Sequence, residues 1–163
     1  MRALFFLVPA LVLAGCYTFN PKAVPSNMKT LEIPVVGNRT LESALPEQVT
    51  KALTDRFISD NTLKVVQKNA DAVLEGEVTG YQDRVIGFNS GRQADEYLVI
   101  LTVKLALRDR VKNKEIWSSD AVVGRSSYFL GSGEGGVSSE TDARALAIKQ
   151  IVDFAIARTV EGW

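Results

Sequence analysis

Few residues in this chain have the chemistry to do work on their own. It holds one cysteine, Cys16, and no histidine. A lone cysteine cannot close an internal disulfide or build a thiolate metal cluster. Without histidine the Ser-His-Asp and Cys-His nucleophile systems are excluded, and so is the commonest metal ligand. A single thiol can still be the nucleophile of a modification reaction. Glu75 and Glu77 lie two residues apart in an alternating stretch, so both project from one strand face. Such a pair can serve as general acid and base. Nothing around it supplies a pocket or raises a pKa, and a solvated strand face accounts for it equally well. No catalytic residue and no metal site is expected.

Arginines form the other candidate chemistry. Arg84, Phe88 and Arg92 fall between Gln82 and Glu96, and Arg125, Tyr128 and Phe129 stand just before a Gly/Ser-rich stretch. Guanidinium groups match phosphate and carboxylate geometry. Lys and Arg number 19, Asp and Glu also 19. A neutral balance argues against non-specific binding of nucleic acid, which needs a basic face to displace counterions.

The cysteine has a context. Arg2 is followed by an apolar run from Ala3 to Leu13, then Leu13-Ala14-Gly15-Cys16. The run is the size of a signal-peptide core and falls short of the about 20 residues that cross a membrane. Small residues directly before the only cysteine resemble the lipobox of bacterial lipoproteins. That resemblance implies a leader at 1–15, cleavage before Cys16, an S-diacylglycerol on its thiol and an N-acyl group on its new amino terminus. Two or three acyl chains anchor firmly, at about 0.8 kcal/mol per buried methylene. Tyr17 follows where an Asp would signal inner-membrane retention, so outer-membrane sorting is expected. Loss of Arg2 leaves the mature chain about one unit negative.

These residues must be positioned by an ordered domain. Residues 16–29 are polar, contain Pro21 and Pro25, and read as a tether. Residues 30–163 read as a single α+β domain. Leu31, Ile33 and Val35 alternate with polar neighbours until Pro34 limits the strand. Pro46 suits a first helical turn, Val49, Ala52, Leu53 and Phe57 recur at helical spacing, and Asn61 suits a left-handed stop. Leu63-Lys64-Val65-Val66 is a second strand, so the start is a parallel strand–helix–strand crossover. Ala72 to Tyr81, then Val99 to Leu107, then Ile116 to Phe129 form an antiparallel meander. Its inner faces carry Ala72, Leu74 and Val78, then Val99 to Leu107, then Trp117, Ala121 and Val123. Tyr81 belongs with Glu75 and Glu77 on the outer face, and Gln82 to Glu96 is a loop. Ser138, Ser139 or Thr141 caps a closing helix with Ala145, Ile148, Ile151, Val152, Ala155 and Ile156 on its apolar face. The expected architecture is two helices on one face of a mixed, about four-stranded sheet, with the other face uncovered.

The order of lipobox, tether, Leu31 to Thr40 (LEIPVVGNRT), helix, Ala70 to Val78 (ADAVLEGEV), long hairpin and closing helix resembles one family. It is the lipopolysaccharide-assembly lipoproteins of the outer membrane, LptE, in their shorter non-enterobacterial branch. The resemblance implies a non-enzymatic lipoprotein without cofactor. Such a protein plugs the LptD-type β-barrel that delivers lipopolysaccharide to the outer leaflet, and it supports assembly of that barrel. Its partners would be the barrel, lipopolysaccharide and, through the lipid on Cys16, the membrane. Arg84, Phe88, Arg92, Arg125, Tyr128 and Phe129 are then the candidate contacts with lipopolysaccharide or barrel, Phe88 either reaching outward from a hairpin tip or folding back on its own sheet. The same start also resembles periplasmic binding modules, the curli-secretion lipoprotein and the penicillin-binding-protein activators.

Overall fold

A computed structural model of the chain describes residues 28–130 and 137–161. Cys16, the leader and most of the tether lie outside the described residues. Met28 is already packed into the core. Strand β1 (Thr30–Glu32) pairs in parallel with β3 (Lys64–Val65) on one side and with β4 (Ala72–Phe88) on the other. Helix α1 (Leu45–Asp60) connects β1 to β3, as the crossover reading required. Pro46 lies in its first turn, and it stops at Asn61, whose φ of 59° is left-handed and whose N–H donates to the Phe57 carbonyl. Lys51–Asp55 and Arg56–Asp60 ion pairs line its wet side.

Two of the quoted sequence segments turn out to pin this end of the sheet. The Asp71 carboxylate accepts from the Lys29 N–H (2.9 Å), the Thr30 N–H (3.0 Å) and the Thr30 hydroxyl (2.9 Å). Those bonds hold its pKa below the ordinary carboxylate value, the Lys29 N–H contributing most. The Asn38 side chain accepts from the Thr40 N–H and hydroxyl and donates to the Glu42 carbonyl, folding the 38–42 turn on itself.

Strands β4, β5 (Ala94–Asp109) and β6 (Lys114–Phe129) form the expected antiparallel meander. The sheet order is β3-β1-β4-β5-β6, and β2 (Gly37–Asn38) pairs in parallel with β4 beside β1. There are thus six strands where about four were expected. The strand with no counterpart in the sequence reading is β2, two residues long and too short to leave a period. The meander is also longer than expected. Gln82 to Glu96 is not a loop: β4 continues to Phe88, β5 resumes at Ala94, and only residues 89–93 turn.

Helix α2 (Glu140–Ile156) is capped by Ser139, whose hydroxyl accepts from the Asp142 N–H at 3.1 Å. It runs into a π-helical turn, Ala157–Glu161. There Trp117 donates to the buried Thr159 hydroxyl. Both helices pack on one face of the sheet. Val99, Leu101, Val103, Leu105 and Leu107 of β5 are fully buried beneath them, at about 25 cal/mol per Å² of apolar surface removed from water. On α2 the buried alanines are Ala143, Ala147 and Ala155, whereas Ala145 is exposed.

Two β-bulges change which side chains face the core. In β4, Val78 pairs with Val103 and Gly80 with Thr102, leaving Thr79 as an extra residue. The extra residue reverses the alternation, so Tyr81 points to the helix side and not outward with Glu75 and Glu77. In β6, Val122 pairs with Val103 and Ser119 with Leu105, so Asp120 and Ala121 together stand against Lys104. Past that point Val122 is buried while Ala121 and Val123 are exposed, the reverse of the uninterrupted reading.

Candidate functional site

The face of the sheet opposite the helices divides into two chemically different halves. In the half nearest β1 the charges are matched. Lys104 pairs with Asp120 at 2.6 Å, Arg108 with Glu75 at 3.3 Å, and Arg39 with Glu77 at 2.7 Å. Each carboxylate of the Glu75–Glu77 pair is therefore held by an arginine in an ion pair on this face. No group of three or more Cys, Asp or Glu side chains converges among the described residues, so none offers a metal-ligand set.

The far half begins level with the N-terminus of α2. Glu140, the first residue of α2, lies beside Tyr81, and the ladder beyond Tyr81 projects past the helix layer. Here Arg84 pairs with Leu98 and Leu98 with Ser127. Gln82 pairs with Ile100 and Ile100 with Arg125, and Glu96 pairs with Phe129. Residues opposite each other share a face, so Arg84, Leu98, Ile100, Arg125 and Phe129 all lie on the open side. Neither arginine has an ion-pair partner among the described residues, and both are exposed. Strand spacing and rise put their Cα atoms about 12 Å apart, diagonally across β5. Leu98, Ile100 and Phe129 lie half-buried among them, with Glu96 as the one acid in that block. The arrangement is two free guanidinium groups around an apolar strip, suited to a ligand with separated anionic groups and hydrocarbon.

Arg125 is also fixed through its backbone. The Gln150 side chain accepts from its N–H at 3.0 Å and donates to its carbonyl at 2.7 Å.

The remaining candidates sit elsewhere. Arg92, with φ 60°, is in the hairpin turn, where Asn89 accepts from the N–H groups of Gly91 and Gln93. Phe88 ends β4 and is 68% exposed, so it does not fold back on the sheet. Tyr128 lies on the helix side. It is buried, stacked on Tyr97 at 5.1 Å, and its hydroxyl donates to Asp83 at 2.8 Å. Burial, with the Asp83 charge, pushes that hydroxyl up to about 12. The structure thus groups Arg84, Arg125 and Phe129, sets Arg92 and Phe88 at the tip, and places Tyr128 behind.

One cluster had no sequence signal. Arg144 lies over the Tyr81 ring at 5.0 Å, pairs with Glu140, and reaches Glu42 at 3.8 Å, while the Tyr81 hydroxyl also donates to Glu140. The Arg144 side chain is only 14% exposed. Burial raises the Tyr81 hydroxyl above its ordinary value, Glu140 adding to the shift. Glu140–Arg144 is legible as a helical i,i+4 pair. Its meeting with Tyr81 follows from the β4 bulge, which sequence alternation hides.

These features define an α+β domain: two helices on one face of a mixed sheet, with the other face open and its far end projecting. The same fold occurs in protein XCC0632 from Xanthomonas campestris, at a TM-score of 0.57 and 12% identity, covering 86% of this chain and 88% of that one. It occurs in the PelC dodecamer from Paraburkholderia phytofirmans, at 0.55 and 14%, covering 87% and 94%. It occurs again in protein CT253 from Chlamydia trachomatis, at 0.55 and 16%, covering 80% and 95%. At such identities the likeness concerns the fold. The family follows from the sequence: residues 28–159 match LptE, and the chain belongs to this lipopolysaccharide-assembly family. No curated protein sequence matches it.

Proposed function

We propose that this chain is an outer-membrane lipoprotein, anchored through Cys16, that plugs an LptD-type β-barrel and supports its assembly and its delivery of lipopolysaccharide to the outer leaflet. Family membership supports the class of partner. The observation that carries the reading is the open sheet face on which Arg84 and Arg125 flank Leu98, Ile100 and Phe129. Lipopolysaccharide offers phosphate and carboxylate groups next to acyl chains, and this face offers guanidinium groups next to apolar side chains. The matched charges of the near half give the polar, net-balanced surface that a polar barrel lumen accommodates. The protein acts by occupying space and holding a partner, without catalysis or cofactor.

The deciding experiment is affinity purification of the lipoprotein from detergent-solubilised outer membranes. Recovery of a large β-barrel protein in stoichiometric yield is the expected result. Recovery of a peptidoglycan synthase, or of no barrel, overturns the assignment in favour of a binding module of another envelope complex. In the same preparation Cys16→Ser should abolish labelling by radioactive fatty acid; labelling retained by that variant would refute the anchor.

A further inference from the structure

The two edges of the projecting ladder are treated differently. On β6, Gln150 occupies both backbone groups of Arg125, and the Phe129 N–H donates to the Val137 carbonyl at 3.0 Å. On β4 the outer edge is filled in steps. β1 covers Ala72 and Val73, β2 covers Glu77 and Val78, and the Arg39 N–H closes on the Val78 carbonyl at 2.9 Å. Beyond Val78 no strand among the described residues pairs with that edge.

The direction of the open backbone groups follows from the Gln150 clamp. Arg125 turns its N–H and C=O away from β5, so its opposite residue, Ile100, turns its own groups toward β4, to Gln82. Neighbours along an antiparallel ladder alternate. Tyr81, Asp83 and Val85 therefore aim their N–H and C=O groups outward, three donors and three acceptors repeating every ~6.8 Å. Bulges after Val78 and after Val85 bound this regular stretch. Val85, Ile86 and Phe88 beside it are 40%, 44% and 68% exposed. Proteins ordinarily blunt such an edge; among the described residues the β6 edge is blunted and the β4 edge is not.

We propose that the Gly80–Val85 edge of β4 accepts an extended segment of another polypeptide by strand addition, and that this polypeptide is the barrel partner. The identity of the partner rests on the plug reading; the pairing rests on the edge alone. Main-chain bonds to Tyr81, Asp83 and Val85 hold the segment, and the unpaired Arg84 on the open face selects a carboxylate there. A second copy of this chain is a poor occupant. The register that engages all three outward residues sets Asp83 against its own copy, a like-charge pair.

The test uses full-length lipoprotein in detergent, alone and co-purified with the barrel. Hydrogen exchange at the amides of Tyr81, Asp83 and Val85 should slow about tenfold or more in the complex. Val85→Pro removes one outward donor without touching the β4–β5 ladder and should recover about fivefold less barrel at unchanged melting temperature. Val85→Thr, which keeps the donor, should recover wild-type amounts. A recovered barrel with these three amides unprotected overturns the strand addition and leaves the plug reading standing. So does wild-type barrel recovery by a folded Val85→Pro protein. If the proline variant misfolds, the exchange measurement decides alone. Protection that appears on self-association overturns the choice of partner. Absence of any barrel overturns that choice and the plug reading together.

Discussion

The backbone carbonyl of Ala147 sits directly over Gly124, so a Cβ at position 124 would overlap the oxygen, carbonyl carbon and Cα of Ala147. Helix α2 docks on β6 through this close approach. Gly124→Ala must push the helix off the sheet, an overpacking cost of about 1–3 kcal/mol, or roughly 3–10 °C in melting temperature. Gly80→Ala is the control. A Cβ there meets Thr102 at an ordinary 3.6 Å, and its melting temperature should stay close to wild type. Differential scanning calorimetry of both variants checks the pair.

Stability should decline in alkali through the tyrosines on the helix side. The Tyr128 hydroxyl is raised in the fold from 10.0 to about 12, by burial first and Asp83 second. A raised pKa contributes stability fully present below pH 10 and lost as pH climbs through about 12. Tyr128→Phe should flatten the fall of the urea midpoint over that window without abolishing it, because Tyr81 is raised too. An unchanged alkaline slope in the variant would count against the burial of this hydroxyl.

Asp71 sets the acid limb. Its folded pKa is depressed by the Lys29 and Thr30 bonds, so it contributes stability above its ordinary 3.8 that disappears as pH drops through the lower folded value. Asp71→Asn should weaken that acid-side dependence. It should also speed exchange of the Lys29 and Thr30 amides at neutral pH, since both donate to this carboxylate. Native-state exchange by NMR reads both amides.

Charge reversal should map the open face. Arg84→Glu and Arg125→Glu should each weaken lipopolysaccharide binding by the purified protein about 5–10-fold, the scale of a lost charge-assisted hydrogen bond. The double variant should lose roughly the product. Arg92→Glu, at the hairpin turn, should cost about twofold or less, as for an exposed isolated charge. Titration against immobilised lipopolysaccharide distinguishes these. A ranking with Arg92 foremost would move the contact from the sheet to the tip.

Much of the architecture was legible because it is repetitive. The odd positions from Val99 to Leu107 are apolar without interruption over nine residues, and all five are buried. Pro46 and Asn61 bracket α1 as punctuation predicts. Legibility failed where one extra residue enters a strand. The bulges at Thr79 and at Asp120–Ala121 leave composition and period intact nearby, yet they reverse the facing of the residues that follow, in β4 as far as the next bulge after Val85. Tyr81, Ala121 and Val123 were misplaced for that single reason.

By itself the sequence determined the class: a parallel start, an antiparallel meander, a closing helix and the LptE family. These rest on residue type and local period, which a linear reading preserves. Only the tertiary structure decided that Arg84 and Arg125 share a face with Phe129 while Tyr128 faces away, and that Arg144 meets Tyr81. It alone decided that, among the described residues, one edge of the ladder is closed and the other open. Those outcomes depend on strand register and on which backbone groups are already bonded, quantities fixed by pairing partners distant in the chain.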